Sequence, residues 1–390
     1  MIDQINIKDK RVFIRTDFNV PVRNGKIEDP TRILATLPTI QYALSQNARV
    51  IIGSHLGRPK GMINSADSLL PAAECLSEAL QKDVLFPENC VGDGVKKLVG
   101  DLRGGDVILL ENLRFHPEEE KDDPHFSQQL ASLADVYIDD SFGTIHRAHA
   151  STHGMVSFFK EKGIGFLIQK ELHFLQNLLS SPKKPFVTVL GGAKVSDKIG
   201  VIENLMNHVD SFIIGGAMAY TFLKARGVKV GRSFVEDSKV HQAEKLLNRA
   251  KVKGVEILLP VDSILAPQIL ENVPTRIATI KEDWGDEMAL DIGPETIKLF
   301  SEKIKEAKTL FWNGPMGVFE IKGFEKGTFA LAQAVAESGA VSVVGGGDSV
   351  SAIKQSGYQD KVSHLSTGGG AALAFLEGQS LPGLKVLEIS

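Results

Sequence analysis

Short apolar runs of strand length alternate with stretches of helical period through most of this 390-residue chain. Strands and helices alternating in this way restrict the fold to parallel sheets covered by helices on both faces. RVFIRTDFN (11–19), VIIGSHLGR (50–58), VILLENLRF (107–115) and VYIDDSFG (136–143) read as strands of the first half, and FVTVLGG (186–192), SFIIGG (211–216), TLFWNG (309–314) and SVVGGG (342–347) as strands of the second. LPAAECLSEAL (70–80), FSQQLASLA (126–134), VHQAEKLLNRAK (240–251), PETIKLFSEKIKEA (294–307) and FALAQAVAES (329–338) place apolar residues at helical spacing. The two sets of strands end differently. Those of the first half stop at charged or polar residues, those of the second at glycines. Ligands of open α/β sheets sit at the carboxyl ends of strands, so one half is expected to grip anions with side chains and the other to bring backbone close to a ligand.

A chain of this length suits two domains. One long helix is expected over the stretch GIGFLIQKELHFLQNLLSSPKKP, ended by its Ser-Ser-Pro-Lys-Lys-Pro tail. The expected division is 1–165, a connecting helix and hinge at 166–184, a second domain at 185–372, and an end segment at 373–390. The net charge of −4 argues against nucleic acid and anionic membrane as partners. No apolar run is long enough to span a bilayer. The two cysteines form no C-x-x-C pair, and MIDQINIKDKR has no apolar signal core, so a reduced, cytoplasmic setting is expected. Nine of thirteen arginines and seven of ten histidines precede residue 182, yet residues 1–181 hold 20 Lys and Arg against 24 Asp and Glu. The cations are therefore gathered at particular strand ends.

In the second half, glycine clusters at 191–192, 215–216, 345–347 and 368–370 follow strand-like sequence, and the last two run into helical sequence. Glycine lets backbone approach a ligand, and a helix N-terminus offers free N–H groups to phosphate. There is no G-x-x-x-x-G-K-[ST] loop and no clean G-x-G-x-x-G after a first strand. Asp348 fits either a helix cap or a single carboxylate ligand of Mg²⁺. Lys194 and Lys198, four apart, would share a helical face if a helix began near Ala193. In the first half, Arg15, Asp17 and Asn19 alternate along one strand end. His55, Arg58, Arg114, His116, His146, Arg147, His149 and His153 cluster in motifs, and Arg32 follows a Pro-Thr turn. Guanidinium groups suit a small ligand bearing carboxylate and phosphate. The histidines lack the cysteine or H-E-x-x-H partners of a zinc site.

RTDFNVP, SHLGRP, LLENLRFHPEEE, FGTIHRAHAS, LGGAKVSDK, LFWNGPMGVFE, VGGGDS and KVSHLSTGGGA, in this order, resemble the 3-phosphoglycerate kinase family from about residue 11 onward. The resemblance implies two Rossmann-like domains joined by a long helix, with the C-terminus returning to the first domain. It implies transfer of a phosphoryl group between ATP and 3-phosphoglycerate, giving ADP and 1,3-bisphosphoglycerate, in glycolysis or gluconeogenesis, after hinge-bending closure. By motif match it puts Asp17, Phe18, Asn19, Arg32, His55, Leu56, Gly57, Arg58, Arg114 and Arg147 on the acid substrate. It puts Gly191, Gly192, Lys198, Gly215, Gly216, Asn313, Glu320, Gly346, Gly347, Asp348 and Ser349 on the nucleotide, with Asp348 as the Mg²⁺ carboxylate. Arg32, Lys194 and Gly369 fall on catalytic positions. A monomer is expected. Thr16 and Ala217 stand where the family more often has a small apolar residue and a glycine. Because a carboxylate is already ionised at neutral pH, no general base is required. A nicotinamide dehydrogenase lacks its fingerprint here, and a non-catalytic nucleotide-binding protein would be expected to have lost Arg32, Lys194 or Asp348.

Overall fold

Five of the six residues of strand β1 (Arg11–Thr16) are buried, as a strand covered on both faces requires. In the computed structural model, which describes residues Met1–Ile389, β1 lies inside a parallel sheet with β2 (Arg49–Gly53), β3 (Val84–Leu85), β4 (Val107–Leu109), β5 (Val136–Asp140) and β6 (Glu161–Ile164). Their order is β3-β4-β2-β1-β5-β6. The chain leaves β1 toward β2 and later returns on the other side as β5, pairing Val12 with both Val50 and Val136. That reversal makes the carboxyl ends of β1, β2 and β5 the expected ligand crevice. Helix α1 (Thr31–Ser45) buries Ile33, Thr36, Ile40 and Ala43, a stripe of helical period, against the sheet core. Arg32 therefore sits in the first turn of a helix and not in a free turn.

A second set of strands comprises β7 (Phe186–Leu190), β8 (Ser211–Ile214), β9 (Glu256–Leu258), β10 (Asp262–Ala266), β11 (Arg276–Thr279), β12 (Met288–Ile292), β13 (Thr309–Asn313), β14 (Val341–Gly345) and β15 (His364–Leu365). Six of these form a parallel sheet in the order β9-β8-β7-β13-β14-β15. The remaining three form an antiparallel sheet, β11-β10-β12, that the expectation of parallel sheets alone did not include.

The chain divides into two compact units, one of Met1–His173 together with the chain from Ser380 onward, the other of Phe174–Gln379. The division falls inside helix α2 (Phe166–Ser180), which the sequence placed at 166–184. The chain end rejoins the first unit at Ser380 rather than at 373. The reason is helix α6 (Gly370–Leu376), whose terminal Leu376 carbonyl accepts a 2.7 Å hydrogen bond from Asn204 Nδ2. Beyond it, Gly383 N donates to Ile145 O at 3.0 Å, and a Cβ at Gly383 would stand 2.6 Å from Ile145 Cγ1. No helix among the described residues is long and apolar enough to cross a membrane.

Candidate active site

In the first unit, β1 delivers Arg15 into the interior, where its side chain is fully buried. Its Nε donates to Ser151 Oγ at 2.7 Å and its Nη2 lies 3.8 Å from Glu119 Oε1. Ser151 also donates its backbone N–H to Glu119. Burial pushes the Glu119 carboxyl up, and Arg15 and Ser151 oppose that rise. Just past β1, Asp17 accepts from Arg32 Nη1 at 3.1 and 3.2 Å, and Arg32 also donates to Asn19 O at 3.1 Å. Asn19 Oδ1 accepts from Gly57 N at 2.9 Å, and Gly57 O accepts from Arg114 Nη1 at 3.0 Å. Gly57 has φ +64°, and a Cβ there would stand 2.2 Å from Asp67 Oδ1, so this turn requires glycine.

These contacts gather the strand-end cations around His55. His55 is buried, 3.8 Å from Asp17 and 3.5 Å from Arg15. Burial and the cations Arg15, Arg114 and Arg32 hold it well below the usual imidazole range, so it is neutral. His149 is lowered to about 3 by burial together with Arg114, Arg15 and Arg147. Burial brings Arg114 to about 10, with Arg15 adding and Glu120 opposing. Arg15, Arg32 and Arg114 each have a carboxylate within 4 Å. Arg58 and Arg147 have none among the described residues, and Arg58 is exposed. Phe18 and Leu56 are buried in the core, leaving their backbone for any ligand contact. Phe18 N is held by Ser54 Oγ at 2.8 Å.

The second unit contains a cavity of about 460 Å³. The glycine loops after β7 and β8 contribute Gly192 and Gly216, β12 contributes Met288, Ala289 and Leu290, and the loop after β13 contributes Pro315 through Val318 with Glu320. Asp348 stands at its rim. Gly191 and Gly215, expected on the nucleotide, do not line the cavity. A Cβ at Gly191 would be 2.1 Å from Pro315 O, and one at Gly215 would be 2.3 Å from Met316 Sδ. Gly216 (φ +65°) sits between Gly192 and Pro315 backbone. Here absent side chains let three backbone segments pack together.

The condition for a shared face is not met: no helix begins near Ala193, and the next one, α3 (Ile199–Leu205), starts at Ile199. Gly192, with φ +99°, turns the chain away from helical geometry. The two lysines consequently separate. Lys194 is exposed in the loop without an ion pair or hydrogen bond among the described residues, whereas Lys198 is buried and donates to Asn313 Oδ1. Burial lowers Lys198 to about 8 against the pull of Asp197, Asp348 and Glu377. Asn313 Nδ2 donates to Gly345 O at 2.7 Å, and Ser349 Oγ accepts from Gly314 N at 2.6 Å.

Asp348 is not a cap: α5 (Gly347–Gln355; α4, Lys326–Glu337, precedes it) starts from Gly346, φ +92°, with no side-chain cap bond. Asp348 is an exposed first-turn carboxylate without an internal hydrogen bond among the described residues. Gly347 is open on its Cβ side, and Gly369, φ +45°, leads into α6. Among the described residues no group of three His, Cys, Asp or Glu could enclose a metal. A single outward carboxylate instead fits Mg²⁺, which keeps water and takes phosphate oxygens in nucleotide sites.

Sequence reasoning missed Glu119 and the apolar wall built by Tyr220, Phe234, Ile269 and Met288. PEEE reads as surface, and the wall is assembled from four segments with no shared motif.

Comparison with known proteins gives a consistent result. The family model described as phosphoglycerate kinase matches residues 2–379. A phosphoglycerate kinase of Anaeromyxobacter dehalogenans is 55% identical over 390 residues, covering 99% of this chain and 98% of that protein. One from Clostridium botulinum is 51% identical over 388 residues with the same coverage. The solved structure of phosphoglycerate kinase from Coxiella burnetii superposes with a TM-score of 0.87 at 42% identity, covering 99% of this chain and 97% of that one. That from Pyrococcus horikoshii gives 0.87 at 34%, covering 99% and 98%.

Proposed function

The chain belongs to the phosphoglycerate kinase family, whose members are phosphotransferases acting between ATP and 3-phosphoglycerate, and from that premise we propose how its residues divide the work. The arginine unit holds the phosphoglycerate and the glycine unit holds the nucleotide. The observation that carries this division is the gathering of Arg15, Arg32 and Arg114 around His55, with Arg58 and Arg147 of the same unit facing no carboxylate among the described residues, set against a cavity of the other unit lined by backbone and apolar side chains. Arg58, Arg114 and Arg147 meet the phosphate and carboxylate of the acid, and neutral His55 and Asn19 supply hydrogen bonds. The adenosine lies in the cavity, with Glu320 accepting from ribose hydroxyls. Lys198, Asn313 and Ser349 are tied to one another's loops and hold the phosphate end.

In the forward step a carboxylate oxygen of 3-phosphoglycerate bonds to the γ-phosphorus of ATP. The bond from that phosphorus to the β,γ-bridging oxygen breaks, and ADP keeps the electron pair. No proton moves, so no base is assigned. The protein's task is positioning and charge stabilisation. Arg32, aimed by Asp17, and Lys194, unpaired on its loop, neutralise the transferring group, and N–H groups after Gly369 add donors. Asp348 would hold Mg²⁺ together with the nucleotide, and the ion would supply further charge neutralisation. The reacting atoms must come within about 3.5 Å. We therefore include closure of the units on binding both ligands, seen as a smaller radius of gyration by X-ray scattering. The reading also includes a cytoplasmic monomer, checked by gel filtration for the oligomeric state. The direct test is ATP-dependent phosphorylation of 3-phosphoglycerate by the purified protein with and without Mg²⁺. Absence of product with both substrates and Mg²⁺ present overturns it.

A further inference from the structure

The wall of the cavity is made by β12 and by the loop 316–318, and both converge on one buried carboxylate behind it. Asp291, on β12, is 1% exposed. Its Oδ1 accepts from Ile292 N at 2.9 Å, and its Oδ2 accepts from Gly327 N at 2.8 Å in the first turn of α4. Gly317 and Gly327 make room for it, since a Cβ at either would stand 2.6 or 2.3 Å from Oδ1. The loop is tied to the same place: Val318 N donates to Leu290 O at 2.8 Å, and Met316 N to Thr328 Oγ1 at 3.0 Å.

We propose that Asp291 is a positioning residue for the nucleotide site, its ionised carboxylate clamping β12 to the start of α4 and so fixing the wall against which the nucleoside packs. This inference rests on the cavity being the nucleotide site. Burial pushes the Asp291 carboxyl up to about 7, with Glu325 adding and Lys326 and the two N–H donors opposing. Tyr220, which lines the cavity and is buried, is itself raised in part by the charge of Asp291. Protonation turns one oxygen into an O–H donor and a much weaker acceptor for its buried amide, and a poorly paired buried amide is unfavourable enough to move its segment. The wall is therefore tight above neutrality and loosens below it.

The test uses adenosine, which carries no group titrating between pH 6 and 8 and no phosphate for Lys198 to meet, so a pH dependence that Asp291→Asn abolishes reports the wall. NMR titration of the wild-type protein should give adenosine affinity about fivefold weaker at pH 6 than at pH 8, the factor expected from one lost hydrogen bond. Asp291→Asn should bind at the weaker value throughout, with 3-phosphoglycerate affinity unchanged. Wild-type affinity constant within twofold across this range, or a variant that keeps the wild-type pH dependence, overturns the proposal. A flat wild-type series overturns the proposal even if the variant does not fold, and a Lys198→Met protein that keeps the pH dependence assigns it to Asp291. Ala217→Leu, which fills the cavity, separates the two claims. If it leaves adenosine binding intact, the assignment of the cavity fails; if it abolishes binding while the wild type is flat with pH, only the role of Asp291 fails.

Discussion

The two units build their candidate sites by opposite means. The first concentrates charged side chains and must then restrain them: Arg15 is fixed by Glu119 and Ser151, Arg32 by Asp17, and Arg114 by Gly57 O. The second removes side chains, so that Gly191, Gly215 and Gly216 let loops touch backbone to backbone and leave a cavity lined largely by apolar groups. A charged site is thus vulnerable through its counter-charges, and a glycine site through any added atom.

The sharpest way to break this contrast is at Arg32. Arg32→Ala should lower kcat by about a hundredfold or more, as loss of a group stabilising transition-state charge does, with a small change in KM for 3-phosphoglycerate. An unchanged kcat would make Arg32 a binding residue only. Next in size is Asp348→Ala, expected to raise KM for Mg-ATP about tenfold. Calorimetry should find 3-phosphoglycerate binding intact in this variant, and also after chelation of Mg²⁺ has stopped turnover. Equal loss of both ligands would erase the division of labour.

Gly215→Ala should destabilise the protein by about 1–3 kcal/mol through overpacking against Met316, measured by denaturant unfolding. Gly192→Ala, with open space but φ +99°, should cost about 1 kcal/mol from backbone strain alone. The smallest effect concerns acid. His55 and His149 are held neutral below the free value of 6.5. An unfolded chain would take up those protons first, so their contribution is complete above pH 6.5 and is lost as pH falls toward about 3 for His149. Buried carboxyls raised above their free value, Asp140, Asp139 and Glu119 in the first unit and Asp291 in the second, work in the opposite sense, so the histidine effect is read against a variant of the same unit. Calorimetric unfolding should therefore find that the wild type loses more stability between pH 7.5 and pH 5 than His149→Gln does. Equal shifts would contradict the neutral-histidine account.

Much of this was legible in the sequence because strand ends carry function directly. RTDFN and SHLGR announce their charges, and VVGGG announces bare backbone. What stayed hidden depends on assembly. The antiparallel sheet β10 to β12 has short strands joined by long connections without hairpin turn signals, so nothing local marks it. Helix α1 contains Pro38, which reads as a break. Glu119 lies in an acidic run that reads as surface, and only the fold buries it beside Arg15. Ala-Lys-Val-Ser is compatible with a helix, and the positive φ of Gly192 overrides it, so α3 starts only at Ile199.

Hydrogen–deuterium exchange with each ligand added alone tests the central division most directly. With 3-phosphoglycerate alone, protection should rise in peptides covering Asp17–Asn19, His55–Arg58, Arg114 and Arg147. With Mg-ADP alone it should rise in those covering Gly191–Lys194, Gly215–Ala217, Pro315–Glu320 and Gly346–Ser349. Protection by both ligands in the same unit, or by 3-phosphoglycerate at the glycine loops, would contradict the account.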